Sequence, residues 1–219
     1  MSTARFKPFS LPVEMADYLI AHNTPPSEHL RSLVDIAAGM NEGGMRLGTE
    51  AGTLLSIVAK VTQPSFAVEV GTFIGYSSLC IASALTGDAR LLCCDVSEEW
   101  TAVARRHWEA AGVAERIDLV IAPAVDTLRS LADQPQIDLA FVDAEKGEYV
   151  DYYEEIVSRL SPTGLMIADN TMANGRVLDE TDTGMGAALR TFNDHVAADP
   201  RTTNVTVPIG DGLTFISLA

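Results

Sequence analysis

From residue 66 onward, hydrophobic positions fall into short β-rich runs separated by stretches whose apolar residues recur at helical spacing. The runs predict strands over 66–70, 90–95, 117–121, 139–142 and 165–169, with amphipathic helices over 77–85, 98–111, 125–131 and 149–160 between them. Strand and helix in regular alternation argue for a parallel sheet with helices on both faces. The pattern then changes. A helix near 187–198 is followed by strands over 203–207 and 213–218, joined through Pro208 and Gly210-Asp211-Gly212. That short glycine-containing connection reads as an antiparallel hairpin closing the sheet.

Ahead of residue 66 the pattern is helical. Pro25-Pro26 breaks the chain, Ser27 is a natural N-cap, and Leu30, Leu33, Val34 and Ala37 recur at helical spacing. Glycines at 39, 43, 44 and 48 mark a loop that contains Met45 and Leu47. Thr49 is placed to cap a further helix carrying Leu54, Leu55, Val58 and Val61. Residues 1–219 are therefore expected to form one α/β domain, with a helical N-terminal extension over 1–62 and the sheet-bearing core over 63–219.

Composition narrows the function classes. Hydrophobic residues make up 47% and charged residues 21% of the 219, which excludes wholesale disorder. The longest apolar runs, such as 54–58 and 139–142, are far too short to span a bilayer. No basic segment followed by an apolar stretch opens the chain, so no signal peptide is read and the expected location is the cytoplasm. The net charge of −15 repels phosphate backbones and anionic lipid, arguing against nucleic acid and membrane as partners, although Arg105-Arg106-His107 is a local basic cluster. Three cysteines, two of them the adjacent Cys93 and Cys94 inside an apolar run, form no disulfide framework and read as core thiols.

The candidate chemistry lies at the strand ends. The first strand runs into Glu69-Val70-Gly71-Thr72-Phe73-Ile74-Gly75-Tyr76-Ser77, where Gly71 permits a tight turn and Gly75 opens the next helix. The second strand ends in Asp95, whose acceptor-only carboxylate suits both hydroxyls of a ribose. The spacing is not that of a dinucleotide fingerprint, and Glu69 would disfavour a pyrophosphate. A ligand with a ribose and a cationic end fits better, and S-adenosylmethionine has both. The fourth strand ends in Phe141-Val142-Asp143-Ala144-Glu145-Lys146 and the fifth in Ile167-Ala168-Asp169-Asn170. Two carboxylates and an amide are a hard oxygen set suited to Mg²⁺, Ca²⁺ or Mn²⁺. Strand-end Asp residues also cap turns, so a purely structural role stands beside that one. None of the four histidines has metal-ligand spacing. Lys146, three residues after Asp143, would lose its proton more readily beside a metal and could serve as general base.

These segments together (VEVGTFIGYSS, the Asp95 strand end, IAPA around Ala124, FVDAEKGEYVDYYE, LMIADNT and PIGDGLTF) make the chain resemble the caffeoyl-CoA and catechol O-methyltransferase family, in particular its small bacterial members from secondary metabolism. The resemblance runs from about residue 45 to the C-terminus. It implies a Rossmann-like class I methyltransferase fold: a seven-stranded, mostly parallel sheet with an antiparallel C-terminal strand. It further implies that Glu69, Gly71, Tyr76, Ser77, Asp95, Ala124 and Asp143 contact S-adenosylmethionine, with Met45 and Leu47 near its methionine end. By the same resemblance Asp143, Asp169 and Asn170 ligate a divalent cation, Mg²⁺ foremost, Lys146 acts as base beside the catalytic Asp143, and the protein is a homodimer. Two positions depart from the family. Glu145 replaces the usual Asp outside the ligand positions, and Ala173 stands where a Trp usually walls the aromatic substrate, a loss expected to open the pocket.

The expected activity is metal-assisted methylation of one hydroxyl of a vicinal di-oxygen substrate, either a catechol-like aromatic or a hydroxymalonyl group on a carrier protein. A nicotinamide-dependent dehydrogenase would need the dinucleotide glycines and a Tyr-x-x-x-Lys pair; Tyr149, Tyr152 and Tyr153 have no Lys four residues on. A non-catalytic S-adenosylmethionine-binding module would have no use for Asp143, Lys146, Asp169 and Asn170 together.

Overall fold

The computed structural model describes residues 12–219. Of the N-terminal apolar residues Phe6, Phe9, Leu11 and Leu19, which are compatible with a substrate lid or a dimer surface, the first three lie outside the described residues.

Among the described residues, seven strands form a single sheet: β1 (Phe66–Val70), β2 (Arg90–Asp95), β3 (Ile117–Ile121), β4 (Ile137–Val142), β5 (Leu160–Ala168), β6 (Thr202–Val207) and β7 (Leu213–Leu218). Their spatial order is β3-β2-β1-β4-β5-β7-β6. The pairings from β3 across to β5 are parallel, and β7 runs antiparallel to both of its neighbours. The closing hairpin is therefore inserted with its second strand inward, leaving β6 at the edge.

The central strands are apolar at nearly every position because both faces of the sheet are covered. Successive side chains point to opposite sides. Ala67, Leu91, Cys93, Leu139 and Phe141 join one buried cluster; Val68, Leu92, Cys94, Ala140 and Val142 join the other. The adjacent cysteines are thus free core thiols on opposite faces. Helices α2 (Glu28–Ala38), α3 (Thr49–Thr62), α4 (Tyr76–Ala82) and α5 (Glu98–Ala110) cover the first face, through side chains such as Leu33, Leu55, Leu79 and Trp108. The second face is covered by α6 (Ala124–Ser130), α7 (Tyr149–Val157) and α8 (Met185–Ala198), through Leu128, Tyr153 and Phe192. Helix α1 (Val13–His22) stands apart, with Tyr18, Leu19 and Ile20 exposed.

Local signals account for the helix starts. Ser27 Oγ accepts from Leu30 N–H at 3.4 Å and Ser97 Oγ accepts from Trp100 N–H at 3.2 Å. Thr49 does not cap α3: it is the first helical residue, and Gly48 holds the cap position without a side-chain bond. β5 begins five residues before the expected 165, because Pro162 and Gly164 lie in an irregular stretch within the strand and do not end it. Leu160 pairs with Ile137, Leu165 pairs with Leu139, and the ladder shifts register between them. No helix among the described residues is long and apolar enough to cross a membrane.

Candidate active site

The chain runs outward from β1 to β2 and β3, then crosses back to β4 and β5, so the strand order reverses between β1 and β4. Ligands of open α/β sheets bind at the carboxyl ends of strands beside such a reversal. Here the carboxyl ends of β1, β2, β4 and β5 deliver Gly71, Asp95, Asp143 and Asp169 to a cavity of about 800 Å³. Backbone bonds prolong the ladder beyond the strands: Gly71 N–H donates to Cys94 O at 2.9 Å, Asp143 N–H to Val70 O at 2.8 Å, and Asp169 N–H to Val142 O at 2.9 Å. Gly71 has φ +89°, and a Cβ there would lie 2.0 Å from the Asp143 carbonyl oxygen. Only glycine serves at that point, where two strand ends touch backbone to backbone.

At the nucleotide end, Met45, Leu47, Gly71, Tyr76, Ser77, Asp95 and Ala124 all line the cavity. Met45 ends a short 3-10 turn over Gly43–Met45 and leads into the buried Leu47. Asp95 Oδ2 accepts from Thr72 N–H at 2.9 Å and Phe73 N–H at 2.8 Å, and its Oδ1 accepts from Ser97 N–H at 2.8 Å. A carboxylate has about four acceptor positions, so roughly one remains for a ligand hydroxyl. Glu69 does not line the cavity; it lies fully buried behind Thr72, whose hydroxyl donates to Oε2 at 2.9 Å. Its Oε1 has no partner, and burial raises its pKa to about 7. An unpartnered carboxylate oxygen directly behind the turn suits a donor with a cationic end.

At the chemical end, Asp143, Lys146, Asp169 and Asn170 line the same cavity. Lys146 Nζ donates to Asp143 Oδ1 and to Tyr149 Oη, both at 2.8 Å. Tyr149 is fully buried, and its hydroxyl donates to the Asp169 carbonyl at 3.0 Å. Burial and the charges of Asp143 and Asp169 hold the Tyr149 pKa well above its usual value, so it remains a neutral phenol. Asp169 is 4% exposed; burial, and then the charge of Asp143, raise its pKa to about 7. Two carboxylates with an amide beside them form a hard oxygen set that fits a divalent cation.

Sequence reasoning missed several lining residues because they come from loop tips and element ends that carry no motif. Arg46, Phe73, Trp100, Asn174, Met185 and Asp211 all face the cavity, with the Phe73 and Trp100 rings packed edge to face at 5.1 Å. The Asp-Gly turn of the closing hairpin was the available signal for Asp211. Ala173 does not open the pocket as expected: its side chain is fully buried in the cluster on the second face of the sheet. The next residue, Asn174, in a left-handed conformation (φ 52°), faces the cavity instead.

A separate cluster on α7, α8 and the approach to β6 brings Glu154, His195 and Asp199 within 4.8 Å of one another. It is an ion-pair network, not a cation site. Arg201 Nη2 bonds Glu154 Oε1 at 2.8 Å and Asp199 Oδ2 at 2.5 Å, so a guanidinium already neutralises both carboxylates.

The O-methyltransferase family profile matches residues 21–218. Caffeoyl-CoA O-methyltransferase 2 of Petunia hybrida is 31% identical over 199 residues, covering 86% of this chain and 82% of its own. Among solved structures, the O-methyltransferase TomG of Streptomyces achromogenes, involved in tomaymycin synthesis and in complex with S-adenosylmethionine, superposes with a TM-score of 0.86 at 25% identity, over 94% of this chain and 96% of its own. The Podospora anserina methyltransferase PaMTH1, bound to S-adenosylhomocysteine, gives 0.86 at 25% identity over 99% of this chain and 100% of its own. A match over nearly the full chain, onto a fold whose strand ends converge on one cavity, assigns this protein to the O-methyltransferase family, as an S-adenosylmethionine-dependent O-methyltransferase of the caffeoyl-CoA type.

Proposed function

We propose that the enzyme requires a divalent metal and methylates one of two neighbouring oxygens on its acceptor. The observation that supports this best is the meeting of Asp143, Asp169 and Asn170 in the cavity that also receives the Gly71 turn. Asp143, Asp169 and Asn170 would hold the cation, which would supply positive charge to stabilise the acceptor's oxyanion. Lys146, held by Asp143 and Tyr149, is the general base: in its uncharged form it takes the proton of the hydroxyl to be methylated and becomes the ammonium that pairs with Asp143. Met45, Leu47, Tyr76, Ser77, Asp95 and Ala124 seat the donor, with Glu69 buried behind Thr72. The apolar walls formed by Leu47, Phe73, Tyr76 and Trp100 exclude water where a sulfonium and an oxyanion neutralise each other.

Two acceptor classes offer vicinal oxygens: a catechol-like aromatic, and a hydroxymalonyl group on a carrier protein, both found in bacterial secondary metabolism. Glu145, Glu148 and Asp211 on the cavity wall repel the free carboxylate of a hydroxymalonyl thioester and favour an uncharged catechol. Methyl transfer to a catechol acid and to a hydroxymalonyl carrier protein, each with Mg²⁺ and with EDTA, tests the reading. Turnover of the catechol that EDTA abolishes is expected. Asp143→Ala and Asp169→Ala are each expected to reduce turnover by more than about a hundredfold while the protein stays folded. Full activity in EDTA would refute the metal requirement.

A further inference from the structure

Among the described residues, the cavity wall carries six carboxylates (Asp95, Asp143, Glu145, Glu148, Asp169 and Asp211) against two cations, Lys146 and Arg46. Lys146 is paired with Asp143. Arg46 takes part in no ion pair among the described residues, although Glu50 stands in the first turn of the neighbouring helix. It is nevertheless held in place. Its guanidinium lies over the Tyr76 ring, 5.0 Å from the centroid, and one of its nitrogens donates to the Leu47 carbonyl. Stacking on an aromatic face fixes the plane of the fork and leaves its other N–H groups free for a carboxylate. Beside it the amino end of α3, a fourteen-residue helix whose cap residue Gly48 makes no side-chain bond, also faces the cavity through Gly48 and Ala51. Free N–H groups and the positive end of the helix dipole add to the attraction for an anion there.

We propose that Arg46 is the carboxylate anchor of the cavity, pairing with a carboxylate that a ligand brings in. The anchor rests on the cavity being the donor and acceptor site, and it is independent of the metal. Two ligands can supply that group: the amino-acid end of the methyl donor, or an acidic acceptor. The position of Arg46 over Tyr76, at the start of the helix that follows the Gly71 turn, favours the donor.

Calorimetric binding of S-adenosylhomocysteine and of its decarboxylated analogue, to the wild type and to Arg46→Met, separates the two. If the donor's carboxylate is the partner, the variant binds S-adenosylhomocysteine at least about tenfold more weakly, and its affinity for the analogue is unchanged. If the acceptor supplies it, both affinities are unchanged. Binding of 3,4-dihydroxybenzoate to the S-adenosylhomocysteine complex then weakens by a similar factor, while that of its methyl ester does not. Equal binding of all four probes by both proteins, or no binding of either benzoate together with unchanged donor affinities, overturns the proposal. A melting temperature matching the wild type shows that Arg46→Met is folded; if it is not, Arg46→Lys, which keeps the charge and loses the fork, is expected to give a smaller loss of the same selectivity. A metal requirement that fails would appear as turnover in EDTA and would leave these affinities untouched.

Discussion

Glu69 shows how a single residue can be at odds with its surroundings until a ligand arrives. It is fully buried, one of its oxygens has no partner, and its pKa is raised to about 7. The folded chain therefore holds a proton there that the unfolded chain releases near pH 4.5. Stability from this group is present below pH 4.5 and is lost as pH rises through about 7, since the folded state binds more protons across that interval. Glu69→Gln removes the titration without changing the shape. In urea unfolding series the variant is expected to match the wild type at pH 4 and to exceed it by up to about 3 kcal/mol at pH 8. A constant difference across that range would contradict the assignment. The identity of such residues was legible in the sequence, because strand-end carboxylates are spaced by the fold. Side-chain direction was not legible for Ala173 and Asn174, where a left-handed backbone turns one residue into the core and the next into the cavity.

At the level of elements, the contact between the ends of β1 and β4 joins the two halves of the site. Gly71 abuts the Asp143 carbonyl so closely that the turn that seats the donor cannot move without moving the strand end that carries Asp143 and, three residues on, Lys146. Gly71→Ala places a methyl group 2.0 Å from that oxygen at a φ of +89°. It is expected to cost at least about 3 kcal/mol in urea unfolding, and to remove donor binding in calorimetry even where the protein still folds. Strands β1, β2, β3 and β7 were legible to the residue, because each is a short β-rich run set between stretches of helical or turn pattern. The start of β5 was not, since a proline and a glycine inside a register shift carry the same signature as a turn. Arg46 and Trp100 escaped for a related reason: a loop residue and a first-turn residue show no periodicity that marks the face they present.

For the molecule as a whole, surface and assembly come into play. Met15, Tyr18, Leu19 and Ile20 leave α1 with apolar side chains in solvent, 40–58% exposed. The family resemblance implies a homodimer, and a contact covering these side chains would bury what a monomer leaves wet. Sedimentation is expected to give a species of twice 23.4 kDa. Tyr18→Glu with Ile20→Glu is expected to shift it towards the monomer; a monomeric wild type at micromolar concentration would oppose the homodimer. The layered architecture was legible from alternation alone, since each strand-helix unit needs a neighbour to bury its apolar face. The packing of α2 and α3 into the same cluster as the sheet was not, because helical spacing shows that a face is buried without naming what buries it.

The inward position of β7 has a consequence for biosynthesis. β6 is made first, yet its sheet neighbour is β7 alone, and the open edge of β5 waits for the same strand. As the chain leaves the ribosome, Thr202–Val207 emerges with no ladder to join, and the sheet gains its last two strands in one step when Leu213–Leu218 slides between them. A nascent chain halted before Leu213 therefore exposes two unpaired edges at once, the form in which this enzyme is most open to pairing with another chain and to chaperone capture.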